Sequence, residues 1–563
     1  MGTGSGGYND DGSVPSDASI IYVTADNINT VKADVISNAK GTKTTCTGLV
    51  DILSKRQKGY DKSHLIIRVI GEIKASDISG LNRSGYLQLK GCYNVTLEGI
   101  GEDATVNAWG ILIRGARNFE VRNLEVMLFP DDAISLDTDN QNIWIHNNDI
   151  FYGTAGSDAD QAKGDGSCDV KSKSSYVTVS YNHFVDSGKC SLCGMSDSEE
   201  FFVTYHHNWF DHSDSRHPRI RVGSVHIYNN YFDGNAKYGV GVTKGASAFV
   251  EANDFRNCKH PMLTSLQGTD IAGNSKGTFS GEPGGMIKAY NNKITGGNKV
   301  IYAKENNSQF DAYNASSRNE SVPDYYKTIS GNNTYNNFDI SPKFYKYNPD
   351  SPDEVANKVK SYTGRINGDD FKWTFTDADD ESSSLNKDLM AKIKSYKSSL
   401  VSIGGNSIKD NNAHNPENPD VPEKPATPEK PDIPDTPDIP MNPDTGDDAN
   451  KESTIEHNFT TSGTDSSFFK INGKLSNDRN GLNYNNLTLT KYLKFEKRTN
   501  ISFTTEKDCN LKLVFNSDFS KNVTIDGVKH KAINGIVTLK LSFGTHTITK
   551  ADKCSLYYIS VEQ

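Results

Sequence analysis

One short signature recurs along the central chain and limits what it can fold into. It reads Asn148-Asp-Ile, Asn182-His-Phe, Asn208-Trp-Phe, Asn230-Tyr-Phe, Asn253-Asp-Phe and Asn292-Lys-Ile. The steps between these asparagines are 34, 26, 22, 23 and 39 residues. Each asparagine closes a strand-like run, such as YVTVSYN or SVHIYNN. Alternation like Val177-Thr-Val179-Ser-Tyr181 sends one set of side chains inward. A repeat of one strand and one turn asparagine describes stacked coils, with loops of different length accounting for the uneven steps. Asparagine tolerates the left-handed turn conformation and can hydrogen-bond its copy in the next coil. A β-sandwich has no need of the same Asn-x-aromatic triplet at every turn. The expectation is an all-β chain whose main body is a right-handed parallel β-helix.

The clearest boundary is a run of prolines at every third position from Pro416 to Pro443. Polyproline II has three residues per turn, so the rings form one ridge. At ~3.1 Å per residue the 28-residue run spans on the order of 85 Å. The organisation expected is a flexible N-terminus over 1–18, a β-helix with capping helices over 19–404, a semi-rigid linker over 405–450, and a further domain over 451–563. Helical segments are expected at 351–363, where Ser351-Pro352-Asp353-Glu354 is a start signal, and at 383–401, where Leu385, Leu389, Ile393, Tyr396 and Leu400 make an amphipathic stripe. After residue 451 short alternating strands such as Leu511–Phe515 and Val537–Leu541 point to a small β-sandwich.

Charge divides along the same boundaries. The whole chain carries −10. Residues 405–450 hold 3 basic and 11 acidic side chains, whereas 451–563 hold 16 basic and 11 acidic, a net of +5. A basic terminal domain on an acidic body is expected to meet an anion of its own. No long basic tract marks a nucleic-acid partner, and no apolar run is long enough to cross a membrane. Eight cysteines are too sparse for a disulfide scaffold, and the pair Cys190-x-x-Cys193 has no second pair at zinc spacing. No signal peptide is visible at Met1–Gly7.

The acidic candidates for chemistry are Asp131-Asp132 and Asp165-Gly-Ser-Cys-Asp169. Along a strand, positions i and i+4 lie ~13 Å apart. Gly166-Ser167 can turn the backbone and bring the two carboxylates together, and clustered carboxylate oxygens suit a hard cation such as Ca²⁺; ordinary turn aspartates are the alternative. The basic candidates are Lys171, Lys189 and the tract Arg216-His-Pro218-Arg219-Ile-Arg221, whose guanidinium forks suit carboxylates.

The segments NIWIH, DGSCDVKSKSSYVTVSYNHF and SRHPRIRVGSVHIYNNYF together resemble polysaccharide lyase family 1, the pectate lyases, over roughly residues 20–345. The resemblance implies the same parallel β-helix. It also implies calcium-dependent β-elimination of polygalacturonate, the homogalacturonan of pectin, to 4,5-unsaturated oligogalacturonides, by a secreted, extracellular, monomeric enzyme. By motif it assigns Asp132, Asp165 and Asp169 to calcium and Arg216 to the catalytic base. Arg221, Lys189 and, more weakly, Lys171 are assigned to the substrate. An arginine base is chemically unusual, because guanidinium keeps its proton at ordinary pH; surrounding cations disfavour that charged form, and an alkaline optimum is expected. One departure is Trp144-Ile145-His146-Asn147, where the family usually reads Trp-x-Asp-His. The segments LTKYLKFEKRTNISF and GTHTITKADKCSLYYI resemble a pectin-binding carbohydrate-binding module of family 77, which implies polymer binding through Lys474, Lys494 and Lys550. The Asn-Thr-Asp and Gly-His-Gly tracts of a polygalacturonase-type hydrolase are absent from the sequence.

Overall fold

A computed structural model describes residues 4–156, 161–195, 197–271, 276–366, 368–399, 454–464, 466, 468–484, 487–496, 499–505 and 507–562. The chain divides into two units, residues 1–414 and 415–563. The proline linker lies outside the described residues.

The first unit is a parallel β-helix. Its described strands form one eighteen-stranded and one eight-stranded sheet, paired parallel from coil to coil, with Lys32–Ile36 and Lys43–Thr47 as a separate antiparallel pair. The repeated strands stack in direct register, with Val177 beside Val203, Val203 beside Val225 and Val225 beside Ala248. The repeating triplet works through two ladders. Asn148, Asn182, Asn208, Asn230, Asn253 and Asn292 each accept, on the side-chain oxygen, a backbone N–H from the coil before. From Asn148 to Asn253 each amide also donates to the next asparagine's oxygen. Two residues on, Phe184, Phe210, Phe232 and Phe255 stack through the interior with ring centroids 4.1–5.1 Å apart.

The left-handed backbone position is not taken by the ladder asparagine. It falls one residue earlier, at Asn147, Tyr181, His207, Asn229, Ala252 and Asn291. The ladder residue is therefore asparagine because a side-chain amide both donates and accepts inside a coil where backbone groups turn away from the sheet.

Within the N-terminal stretch expected to be flexible, Gly6, Gly7 and Tyr8 are packed, whereas residues 9–14 are exposed. Gly6 N donates to Asn118 Oδ1, Gly7 N to Thr96 Oγ1, and the buried Tyr8 hydroxyl to Glu98 Oε1. Glycine permits this close approach: a Cβ at Gly6 would lie 2.3 Å from Thr96 Oγ1. The helix Leu49–Arg56, which sequence reading did not anticipate, contributes Leu49, Ile52 and Leu53 to the core. Of the two expected helices, the first is Pro352–Tyr362 and places Val355 and Val359 against Tyr231. The second is only Lys387–Lys394. Asn386 caps its start by accepting from Asp388 N and Leu389 N. Leu389 and Ile393 pack on Phe151 and Phe371, while Leu385 and Tyr396 join this cluster from outside the helix. All eight cysteines are buried free thiols.

The second unit holds a six-stranded and a five-stranded antiparallel sheet around Phe459, Phe469, Phe495, Phe503 and Phe515, as expected of a β-sandwich. Among the described residues no helix is long and apolar enough to cross a membrane.

Candidate active site

The eight-stranded sheet carries the site. Its strands are Tyr86–Lys90, Gly110–Arg114, Ile134–Leu136, Cys168–Val170, Leu192–Cys193, Arg219–Arg221, Val240–Thr243 and Met262–Thr264. Ile134, Leu136, Cys168, Val170 and Ile220 point into the core. The alternate positions face outward in register, giving the row Gln88, Leu112, Ser135 and Asp169. Further along, Leu192 is beside Arg219 and Arg219 beside Gly241.

Over this face lies an open cleft of about 500 Å³, lined by Asp131, Asp132, Asp165, Asp169, Lys171, Lys189 and Arg216 among others. Six of the seven residues expected of the β-helix site thus share one cleft. Carboxylate oxygens of Asp131, Asp132 and Asp165 lie within 4.8 Å of one another. Burial, then the neighbouring Asp132, pushes the Asp169 carboxyl up to about 7. Burial, then Asp132 and Asp165, raises that of Asp131. Four crowded carboxyl groups on a partly buried surface ask for a cation, and their all-oxygen donor set fits calcium. The protein supplies part of that charge itself: Lys171 Nζ is 2.6 Å from Asp132 Oδ2 and 3.5 Å from Asp169 Oδ2, and Lys189 Nζ is 3.6 Å from Asp165 Oδ1. Asp169 Oδ1 is also held by Leu192 N at 2.8 Å. The close trio therefore includes Asp131 in place of the expected Asp169. In a regular strand two adjacent aspartates face opposite ways, but Asp131 and Asp132 precede the strand that begins at Ile134.

Arg216 lines the cleft from a left-handed backbone position, φ 65°. Its neighbour His217 is buried, with Nδ1 2.7 Å from the Tyr238 carbonyl and Nε2 2.9 Å from Ser213 Oγ. Burial pushes this imidazole down to about 3, so it is neutral: Nδ1–H donates to the carbonyl and Nε2 accepts from the hydroxyl. The ring thus anchors the turn that presents Arg216. Arg221 differs from expectation. It does not line the cleft; its Nε donates to Glu282 at 2.9 and 3.0 Å, and Arg219 Nη2 donates to the same carboxylate at 3.2 Å. Glu282 lies 61 positions away in sequence, so no local motif could reveal the pairing.

Residues 5–367 match the family Pectate lyase, and residues 453–559 match Carbohydrate binding module 77. The chain belongs to the pectate lyase family. A similar curated relative is a pectate trisaccharide-lyase of Bacillus licheniformis, 35% identical over 228 residues that cover 40% of this chain and 64% of the relative. Another is pectate lyase 3 of Pectobacterium carotovorum subsp. carotovorum, 33% identical over 181 residues, covering 31% of this chain and 48% of the relative. The match thus spans about half to two-thirds of these relatives' lengths. Among solved structures, pectate lyase II from Xanthomonas campestris aligns at 24% identity over 62% of this chain and 95% of that chain, with a TM-score of 0.42.

In the segment that matches the carbohydrate-binding module, Lys474 and Lys494 stand directly opposite on neighbouring strands, and Lys494 is also beside Ser555. A second cleft of about 510 Å³ is lined by Lys494, Lys521 and Lys553 with Tyr492 and Asp518. Lys474 and Lys550 lie outside its lining, while Lys521 and Lys553, which no motif singled out, lie within it.

Proposed function

We propose that this member of the pectate lyase family cleaves polygalacturonate by calcium-dependent β-elimination, outside the cell and as a monomer. The observation that carries this reading is the cleft in which Asp131, Asp132, Asp165 and Asp169 meet Lys171, Lys189 and Arg216 on the outer face of a parallel sheet.

Asp131, Asp132, Asp165 and Asp169 would hold the calcium. When bound, calcium offsets the uronate carboxylate and so makes the adjacent C5 proton removable. Lys171 and Lys189 place fixed ammonium charge where the substrate becomes more negative as that proton leaves. Arg216, presented by the turn that His217 anchors, takes the C5 proton. The C4–O bond breaks, a C4=C5 double bond forms, and the departing oxygen takes a proton from solvent water. No acid–water–acid arrangement for hydrolysis is needed. In the second unit, Lys494 together with Lys521 and Lys553 supports retention of the anionic polymer; Lys474 and Lys550 are assigned by motif alone. Tethering the two units concentrates the enzyme on insoluble cell wall.

The test is the absorbance of unsaturated product on polygalacturonate with calcium, then with excess chelator, then with calcium restored. Product should appear, stop and resume. Undiminished product formation in excess chelator would refute the calcium assignment.

A further inference from the structure

The cleft's outer row of charge does not stop at the acidic cluster. On the first two strands of the site sheet, Lys90 stands in direct register with Arg114. Both lie on the same outward face as Gln88 and Leu112, because successive side chains alternate and these pairs are two residues apart. In the next coil Arg114 Nε meets Asp137 Oδ2 at 3.3 Å, and Asp137 is itself part of the cleft lining. The sequence of groups along the sheet is therefore Lys90, Arg114, Asp137 and Lys171, one per coil.

Strand spacing gives the scale. At ~4.8 Å per coil, Arg114 lies roughly 10 Å and Lys90 roughly 14 Å from the level of Lys171. Each coil advances by about the length of one sugar ring. Like charges directly opposite on neighbouring strands are unfavourable, and among the described residues Lys90 has no carboxylate partner. The Arg114 side chain is 40% exposed, and Lys90 is half-buried. Asn82 and Ser84, in the loop leading to Lys90's strand, line the same cleft. Tyr86 and Leu112, on the strands that carry the two cations, line the cleft, while Lys90 and Arg114 themselves stand outside its lining at the other ends of those strands.

We infer that Lys90 and Arg114 form a distal subsite for carboxylates of a galacturonan chain, two to three sugars from the bond that is cleaved. The inference rests on the lyase reading above. It makes the enzyme's preference depend on chain length: a long polyanion reaches these cations, whereas a trisaccharide centred on the acidic cluster scarcely does.

The test uses the full chain with calcium. K90Q/R114Q and K90A/R114A are compared with wild type for kcat/KM on polygalacturonate and on trigalacturonate. Two partly exposed ion pairs predict a fall of about threefold to tenfold in the polymer-to-trimer ratio, carried mainly by KM and shrinking at high salt. R114E should lower the ratio further. A ratio within twofold of wild type in both double variants overturns the subsite while leaving the lyase reading intact. A wild type that cleaves neither substrate overturns the lyase reading, and the subsite with it.

Discussion

Asn208→Ala should be among the most destabilising single amide deletions in the β-helix, and its cost can be worked out bond by bond. Asn208 is fully buried. Its Nδ2 donates to the Val179 carbonyl and to Asn230 Oδ1, both at 2.9 Å. Its Oδ1 accepts from Asn182 N and Nδ2, both at 3.1 Å. Alanine removes all four bonds, but the groups left behind are not equally harmed. Asn182 Nδ2 keeps the Ile145 and Ser180 carbonyls, and Asn230 Oδ1 keeps the backbone N–H of residue 208. The Asn182 N–H is left buried without its acceptor, a loss of about 1–3 kcal/mol, and the remaining bonds contribute about 0.5–1.5 kcal/mol each without full additivity. The total expected is about 3–5 kcal/mol. Asn292→Ala, at the far end of the ladder, should cost about 1–2 kcal/mol, because Asn292 is only partly buried and water can replace its amide. Urea unfolding followed by tryptophan fluorescence measures both, since Trp109, Trp144, Trp209 and Trp373 all belong to the first unit. Equal losses at the two positions, or less than about 1 kcal/mol at Asn208, would refute the argument that the ladder stabilises the fold by satisfying buried backbone groups.

Arg216→Lys should lower kcat by roughly 10²–10⁴-fold with an unchanged urea midpoint; retention of half the activity would move the base elsewhere. Glu282→Gln should lower stability by about 1 kcal/mol in urea unfolding, because Arg219 and Arg221 lose the carboxylate they share; an unchanged urea midpoint would show that the pairing does not stabilise the fold. His183 bridges Asp149 and Asp211; burial opposes its charge, but hydrogen bonds to the two carboxylates prevail and push the imidazole up to about 10. Its folded-state affinity for the proton exceeds that of the unfolded chain, so its contribution is fully present below about pH 6.5 and is lost as pH rises toward about 10. Urea midpoints of wild type should fall across that window, and those of His183→Gln should fall less. Lys494→Ala should weaken binding of polygalacturonate to the second unit in calorimetry, with affinity falling as salt rises; equal affinity for polygalacturonate and fully methylated pectin would rule out carboxylate recognition.

The triplet Asn-x-aromatic, read at 182, 208, 230 and 253, was enough to specify stacked coils, because a buried amide ladder and a phenylalanine stack each require the same residue at the same place in every turn. The basic excess beyond residue 451 and the alternating strands there were likewise legible, since both are local properties of the chain. The motif that assigned Asp132, Asp165, Asp169, Lys171, Lys189 and Arg216 named residues that do share one cleft. What sequence could not decide was orientation and partnership. Whether Asp131 faces the cleft depends on the irregular backbone before Ile134, and whether Arg221 meets solvent or Glu282 depends on a loop many residues away. The left-handed turn residue precedes the asparagine that draws the eye, because the amide must point inward once the backbone has already turned. Local pattern fixes which face a side chain takes within its own coil. Only the stacking of one coil on another decides which charges become neighbours, and the row from Lys90 through Arg114 to Lys171 exists only there.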